Sequence, residues 1–214
     1  MKTEGTCIYC NKTFSGRAIG KHLLTCEERK KANGKEAKKG NVLLLKADAG
    51  PYWVYFEADG KTTLKKIDRF LRDLWLECCG HMSAYTIGHT QYASHPERGE
   101  KGMNSPLENV LSPGTRFIHI YDYGTTTGLD MECVSARSGS LDGKIKILAR
   151  NNPPDLRCHA CGKPAEKICA VCVQNEETFF YCKTCAKKHE CEEDMLLPIV
   201  NSPRTGMCGY TGED

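Results

Sequence analysis

Cysteine pairs spaced C-x2-C occur four times in this chain: Cys7–Cys10, Cys158–Cys161, Cys169–Cys172 and Cys182–Cys185. A C-x2-C loop turns two sulfurs toward one point, so each pair can supply half of a tetrahedral metal site. The N-terminus, MKTEGTCIYC, lacks the apolar core of an export signal, which places the chain in the cytoplasm. Thiols stay reduced there, so 14 cysteines call for metal ligation rather than disulfides. Sites closed by four protein ligands leave no position for water; they shape a chain and do not catalyse.

The N-terminal pair continues as C-x2-C-x11-H-x3-C, giving the ligands Cys7, Cys10, His22 and Cys26. His22 and Cys26 are four apart and share one helix face. The segment resembles the ββα zinc-finger family, in the variant with cysteine as last ligand. Phe14 and Ile19 stand at that family's two core positions. The loop before His22 is one residue shorter than the family's, which leaves the helix start open.

After the rigid break Asn152-Pro153-Pro154, the tail carries three cysteine pairs and then His189, Cys191 and Cys208. Three pairs make one and a half sites, so a second metal must draw two ligands from those last three residues. The tail resembles the B-box, ZZ and RING-like cross-braced modules, which implies interleaving. Cys158, Cys161, Cys182 and Cys185 then form one site. Cys169 and Cys172 form the other with His189 and Cys208, Cys191 being the substitute ligand. Sequential use of the first two pairs in one site stays possible. The expected cofactor is zinc, three ions per chain.

These ends need a body to hold them. Residues 42–151 supply it, between a finger (1–28), a basic flexible linker (29–41) and the cysteine-rich module (155–214). NVLLLKA and PYWVYFEA read as apolar, β-rich strands. TTLKKIDRFLRDLWLECCG reads as one helix, with Leu64, Ile67, Leu71, Leu74, Trp75 and Cys78 on one face and Gly80 as its stop. HMSAYTIGHTQY reads as a strand. SPLENVLSPG reads as a short helix opened by a Ser105–Glu108 capping box. TRFIHIYDYG, LDMECVSAR and KIKILAR close the body as antiparallel strands. The expectation is an α+β fold: a central antiparallel sheet with helices packed on one face, plus two zinc-stabilised modules at the termini. Cys78 and Cys133 are expected to be small core residues, and His81, His89, His95 and His119 ordinary polar or buried groups.

The order of these elements, with "LSPGTRFIHIYDYG" as its most specific piece, resembles the Ri-plasmid ORF-three-like family over about residues 50–137. Members of that family carry insertion-element passenger or TnpR-like labels. The resemblance implies an α+β fold and an association with plasmids and mobile elements, and no established activity. Thr125, Thr126 and Thr127 stand where many members have Asp and Trp, so no role for those residues carries over.

Charge is unevenly spread. Residues 1–40 hold ten Lys/Arg against four Asp/Glu, residues 41–150 thirteen of each, and residues 151–214 seven against ten. Arg17, Lys21, Arg29, Lys30, Lys31, Lys35, Lys38 and Lys39 therefore form a candidate phosphate-binding arm. The acidic tail suits a protein partner better. No apolar run approaches the length of a membrane span, and no P-loop, G-x-S-x-G or dinucleotide fingerprint appears. His95-Pro96-Glu97 with Cys158-x2-Cys161 departs from the zinc-deaminase signature, since Arg157 replaces its proline. The sequence thus points to a non-enzymatic zinc protein that binds nucleic acid, RNA or DNA. A protein-interaction adaptor working through residues 151–214 is the alternative. An enzyme using His81, His89, His119 or Asp122 ranks third.

Overall fold

The computed structural model describes residues 2–33, 40–141, 143–175 and 178–212. The chain opens with the hairpin β1 (Glu4–Thr6) and β2 (Thr13–Ser15) and the helices α1 (Gly16–Thr25) and α2 (Glu27–Asn33). The body comprises β3 (Asn41–Ala49), β4 (Tyr52–Asp59), α3 (Leu64–Leu71), β5 (Ser83–Ile87), β6 (Thr90–Ala93), β7 (Lys101–Gly102), β8 (Arg116–Tyr121), β9 (Thr127–Ser138) and β10 (Lys146–Arg150). The tail adds β11 (Lys167–Cys169), β12 (Phe180–Tyr181), α4 (Lys183–Ala186) and β13 (Leu196–Pro198). Among the described residues, no helix is long and apolar enough to cross a membrane.

The fold is α+β. Strands β3 to β10 form one sheet in the order β10-β4-β3-β9-β8-β5-β6-β7. The last of the closing strands lies beside β4, at the opposite edge from the hairpin of β5 and β6. Neighbours pair antiparallel except β6 with β7, which makes the sheet mixed. The stretch read as one strand, HMSAYTIGHTQY, is two, because Gly88 takes a left-handed φ of 57° and turns the chain back.

Helix α3 starts where Thr63 accepts the Lys66 N–H at 3.4 Å, and it buries Leu64, Ile67 and Leu71. Periodicity predicts a helix as far as Gly80. Instead, the chain widens into a π turn over Arg72–Leu76 and leaves helical geometry at Glu77. Arg72 explains the exit. Its guanidinium donates to Asp68 at 2.8 Å, Glu77 at 2.8 Å, the His81 carbonyl at 2.6 Å and the Ser83 hydroxyl at 3.0 Å. The departing segment is thereby tied to the helix end. The expected capping box at Ser105–Glu108 does not form. A 3-10 turn over Leu107–Asn109 starts after Pro106, and the Leu107 and Glu108 N–H groups donate to the carbonyls of Thr62 and Gly60.

Strand β4 is buried on both sides. Tyr52, Val54, Phe56 and Ala58 pack with Leu64, Ile67 and Leu71 of α3. Trp53 and Tyr55 face the other way, where they pack with Leu44, Leu148 and with Ile19 and Leu23 of α1. The sequence predicts helix cover on one sheet face. The finger supplies cover for the second, and this accounts for the unbroken apolar run in β4.

Glycines allow the close fit. A Cβ on Gly20 would lie 2.5 Å from the Tyr55 hydroxyl, and one on Gly5 would lie 2.1 Å from the Arg150 carbonyl oxygen. Arg29, expected in the phosphate-binding arm, is instead buried and donates to Glu57 at 2.7 Å and to the Leu23 carbonyl. Arg137 holds the same carboxylate from β9 with bonds of 2.8 and 2.9 Å. Residues 29–33 are thus helix, tied to the sheet through Arg29, and not flexible linker. Lys35, Lys38 and Lys39 lie outside the described residues.

Burial works against an ionised Glu57, but Arg137 and Arg29 outweigh it and hold its carboxyl below the usual glutamate range. A depressed folded-state pKa contributes stability that is full above the unfolded value of about 4.3 and vanishes as pH falls through the folded value. Glu57→Gln should lower the unfolding free energy by about 3–5 kcal/mol at neutral pH, measured by urea titration. The gap from the unmodified protein should close as the pH drops below about 4.

Candidate metal centres

The two knuckles at Cys7–Cys10 and Cys158–Cys161 are built alike. In each, the first cysteine donates its N–H to the carbonyl of the lysine five positions on, Lys12 or Lys163. Its own carbonyl accepts the N–H of the residue after the second cysteine, Asn11 or Gly162. That residue must take a left-handed conformation (φ 55° and 71°), which Asn and Gly accept most readily. The motif is therefore C-x2-C followed by Asn or Gly and then Lys, and each knuckle aims backbone N–H groups at its sulfurs.

In the finger, Cys7, Cys10, His22 and Cys26 converge as the spacing predicts. His22 Nε2 lies 3.2 Å from Cys10 Sγ, and its ring stacks on Phe14 at 4.2 Å. In the tail, Cys158, Cys161, Cys182 and Cys185 form one cluster, with the Cys161 and Cys182 sulfurs 3.7 Å apart. The pairs interleave, as the resemblance to cross-braced modules implies. The second tail cluster is Cys169, Cys172, His189 and Cys191. Cys172 Sγ sits 3.5 Å from His189 Nε2 and 3.8 Å from Cys191 Sγ.

Cys208 does not belong to that cluster. After α4 the chain bends at Glu190 and returns Cys191 to the site, while residues 199–210 leave the module for the body. Arg150 donates to the Asn201 carbonyl at 2.6 Å, and Ser202 to the Trp75 carbonyl at 2.7 Å. Arg204, fully buried, donates to Asp122 at 2.6 Å and to the Thr125 carbonyl at 2.7 Å. Cys208 thereby arrives beside Cys78, Cys79 and His81, which make a fourth cluster. Cys78 and His81 are thus neither plain core filler nor an isolated surface histidine. Cys133 does fill the core.

The clusters take 13 of the 14 cysteines, leaving Cys133. That near-complete use is the signal that counting C-x2-C pairs overlooked. C-C-x-H at 78–81 has no knuckle spacing. Its convergence depends on the π turn and on Gly80, whose φ of 79° reverses the chain.

Electrostatics separates the sulfurs within each cluster. Burial opposes the Cys158 thiolate, but N–H groups of Cys182, Ala160 and Cys161 bring it down to about 6. Its neighbour Cys185 is pushed up to about 12 by Cys161 and Cys182. Cys169 is likewise lowered to about 7, against burial, by backbone N–H groups and His189. Burial and the neighbouring Cys169 and Cys191 raise Cys172 to about 12. Cys182 is lowered too, by the backbone N–H of Cys185, so each group welcomes some thiolates and opposes others. A divalent cation removes that opposition.

His81, His89 and His119 stand in separate surroundings. His119 lies buried against Asp68 at 2.8 Å, His89 sits at the exposed tip of the β5–β6 hairpin, and His81 joins the fourth cluster.

No family model matches the chain, and no curated protein matches it. Among solved structures it is similar to a protein of unknown function, MM3350 from Methanosarcina mazei Go1, at 9% identity and a TM-score of 0.43. That match covers 50% of this chain and 66% of the other, just under two thirds of its length.

The tail's apolar cluster is small and is made largely of the cysteines themselves. Metal binding should therefore supply most of its folding energy. An excess of a strong chelator should raise amide exchange at Ile168 and Leu197, followed by mass spectrometry, to nearly unfolded rates. Leu45 and Phe56 in the sheet should keep their protection.

Proposed function

We propose that this is a cytoplasmic zinc protein in which structural ions set the shape of both ends, and that its basic N-terminal face binds nucleic acid. Soft thiolate donors with one or no imidazole suit zinc, and four protein ligands per cluster suit structure rather than catalysis. The observation that carries the nucleic-acid reading is the exposed edge of α1. Arg17 and Lys21 lie one helical turn apart there, and neither is buried. Arg17 also lines, with Lys2, a cleft of about 400 Å³ between finger and sheet, where Lys46 is paired with Asp48 at 2.6 Å. Lys30 and Lys31 pair with Glu27 and Glu28 at 2.8 Å, fully in solvent. Such exposed pairs contribute little and give way to phosphates. Arg29 is not part of this surface.

The plasmid and mobile-element association rests on the family resemblance alone. A protein partner is the second reading. It is favoured by a cleft of about 430 Å³ in the tail, where Ala186, His189 and Leu196 are joined by Lys167, Lys183 and Lys187.

Fluorescence anisotropy with single-stranded and duplex RNA and DNA tests the first reading. Replacing Arg17, Lys21, Lys30 and Lys31 together by Gln should weaken binding at least about tenfold at low salt. For every phosphate that no longer meets a cation, the salt dependence should flatten by about one unit of slope. Affinity indifferent to both salt and these substitutions would refute it.

A further inference from the structure

We propose that Cys78, Cys79, His81 and Cys208 hold a fourth zinc ion that latches the C-terminal segment onto the central body, and that this ion exchanges more readily than the other three. The proposal rests on the reading of the clusters as zinc sites and adds to it a position, a role and an order of release.

The sulfur separations fit a tetrahedron. Zinc–sulfur bonds of about 2.3 Å at tetrahedral angles put two sulfurs roughly 3.8 Å apart, and a sulfur and a nitrogen roughly 3.5 Å apart. Here Cys79 Sγ lies 3.7 Å from Cys78 Sγ and 3.8 Å from Cys208 Sγ. His81 Nε2 lies 3.0 Å from Cys79 Sγ and 3.3 Å from Cys208 Sγ. The four ligand atoms all fall within 4.8 Å of one another. These sulfur separations match those of the two tail clusters, 3.7 and 3.8 Å.

The surroundings suit three thiolates around a dication. Such a centre carries one net negative charge, and the Arg204 guanidinium donates to Cys78 Sγ at 3.4 Å. Asp122, which receives Arg204, stands 3.4 Å from His81 Nε2, the nitrogen that faces the cluster, and so adds charge beside the site without holding the ring's other nitrogen. The Tyr121 ring meets that of His81 edge-on at 5.7 Å and fixes its plane. Arg204, itself held by Asp122, thus supports the Cys78 sulfur from outside the cluster, as partners of metal ligands do in built sites.

Two features set this cluster apart. The other three close over short stretches within the finger or the tail module. Cys79 and Cys208 are 129 residues apart, so here one ion joins the body to the end of the chain. None of its four ligands is buried, whereas every other cluster has at least two buried ligands. A chelator or competing thiol therefore reaches this ion first. Residues 199–210 lie between the body and the cross-braced module: a Cβ on Gly206 would meet the Ile168 side chain at 2.5 Å. Losing the ion frees one end of that layer.

The test uses the full chain loaded with Zn²⁺ alone. Native mass spectrometry should count four zinc ions in the unmodified protein and three in Cys208→Ser, with Cys79→Ser matching it. Cys208 is exposed, and retention of three ions reports that the rest of the fold is intact. Trypsin supplies a second readout, since Arg204 is fully buried while the segment is latched. Cleavage after Arg204 should be at least about tenfold faster in Cys208→Ser, and in the unmodified protein given just enough chelator to remove one ion. Four ions in both proteins, three in both, or equal cleavage rates would overturn the latch. Absence of zinc from every form would overturn instead the reading of the clusters as zinc sites.

Discussion

A strand with no solvent-facing side governs this molecule. β4 buries Phe56 and Val54 under α3 and buries Trp53 and Tyr55 under the finger, so neither face of the sheet can be left open there. The N-terminal finger therefore closes a second core on the other face of the sheet rather than hanging as a bead on a string. Glu57 makes the arrangement specific. A carboxylate sealed between Arg29 and Arg137 is tolerable only when both cations are present, which ties α2, β4 and β9 to one relative placement.

The second organising constraint is the crowding of sulfurs. Each cluster gathers donors closer than like charges tolerate, and the split between favoured and disfavoured thiolates within one cluster expresses that repulsion. The tail module draws little from apolar packing, so a cation at its clusters and the folding of the surrounding chain would belong to one equilibrium. The body differs. Its core of Leu, Phe and Trp residues needs no such help.

Local spacing made much of this legible. C-x2-C pairs and His22–Cys26 at helical distance lead directly to the finger site, because all those contacts lie within one short stretch. Interleaving of the tail pairs followed from likeness to known modules. What failed was whatever depended on distant partners. The choice between Cys191 and Cys208 was decided by residues 199–210, which bind Trp75, Asp122 and Arg150 across more than 50 positions of chain. Arg29 reads as one more cation in a basic run, and only its opposition to Glu57 removes it from that run. The helix ending early at Leu76 reflects four bonds from Arg72, none of which hydrophobic periodicity can register.

The glycines at the finger–sheet seam carry one more implication. Gly5, Gly16 and Gly20 approach Trp53, Tyr55 and the Arg150 backbone more closely than any side chain would permit. Two surfaces meeting at that separation cannot slide or rock without collision. The cationic edge of α1 is consequently presented at a constant angle to the sheet, like type set in a forme. A ligand would have to match that geometry as it stands, because no hinge at this seam can adjust to it.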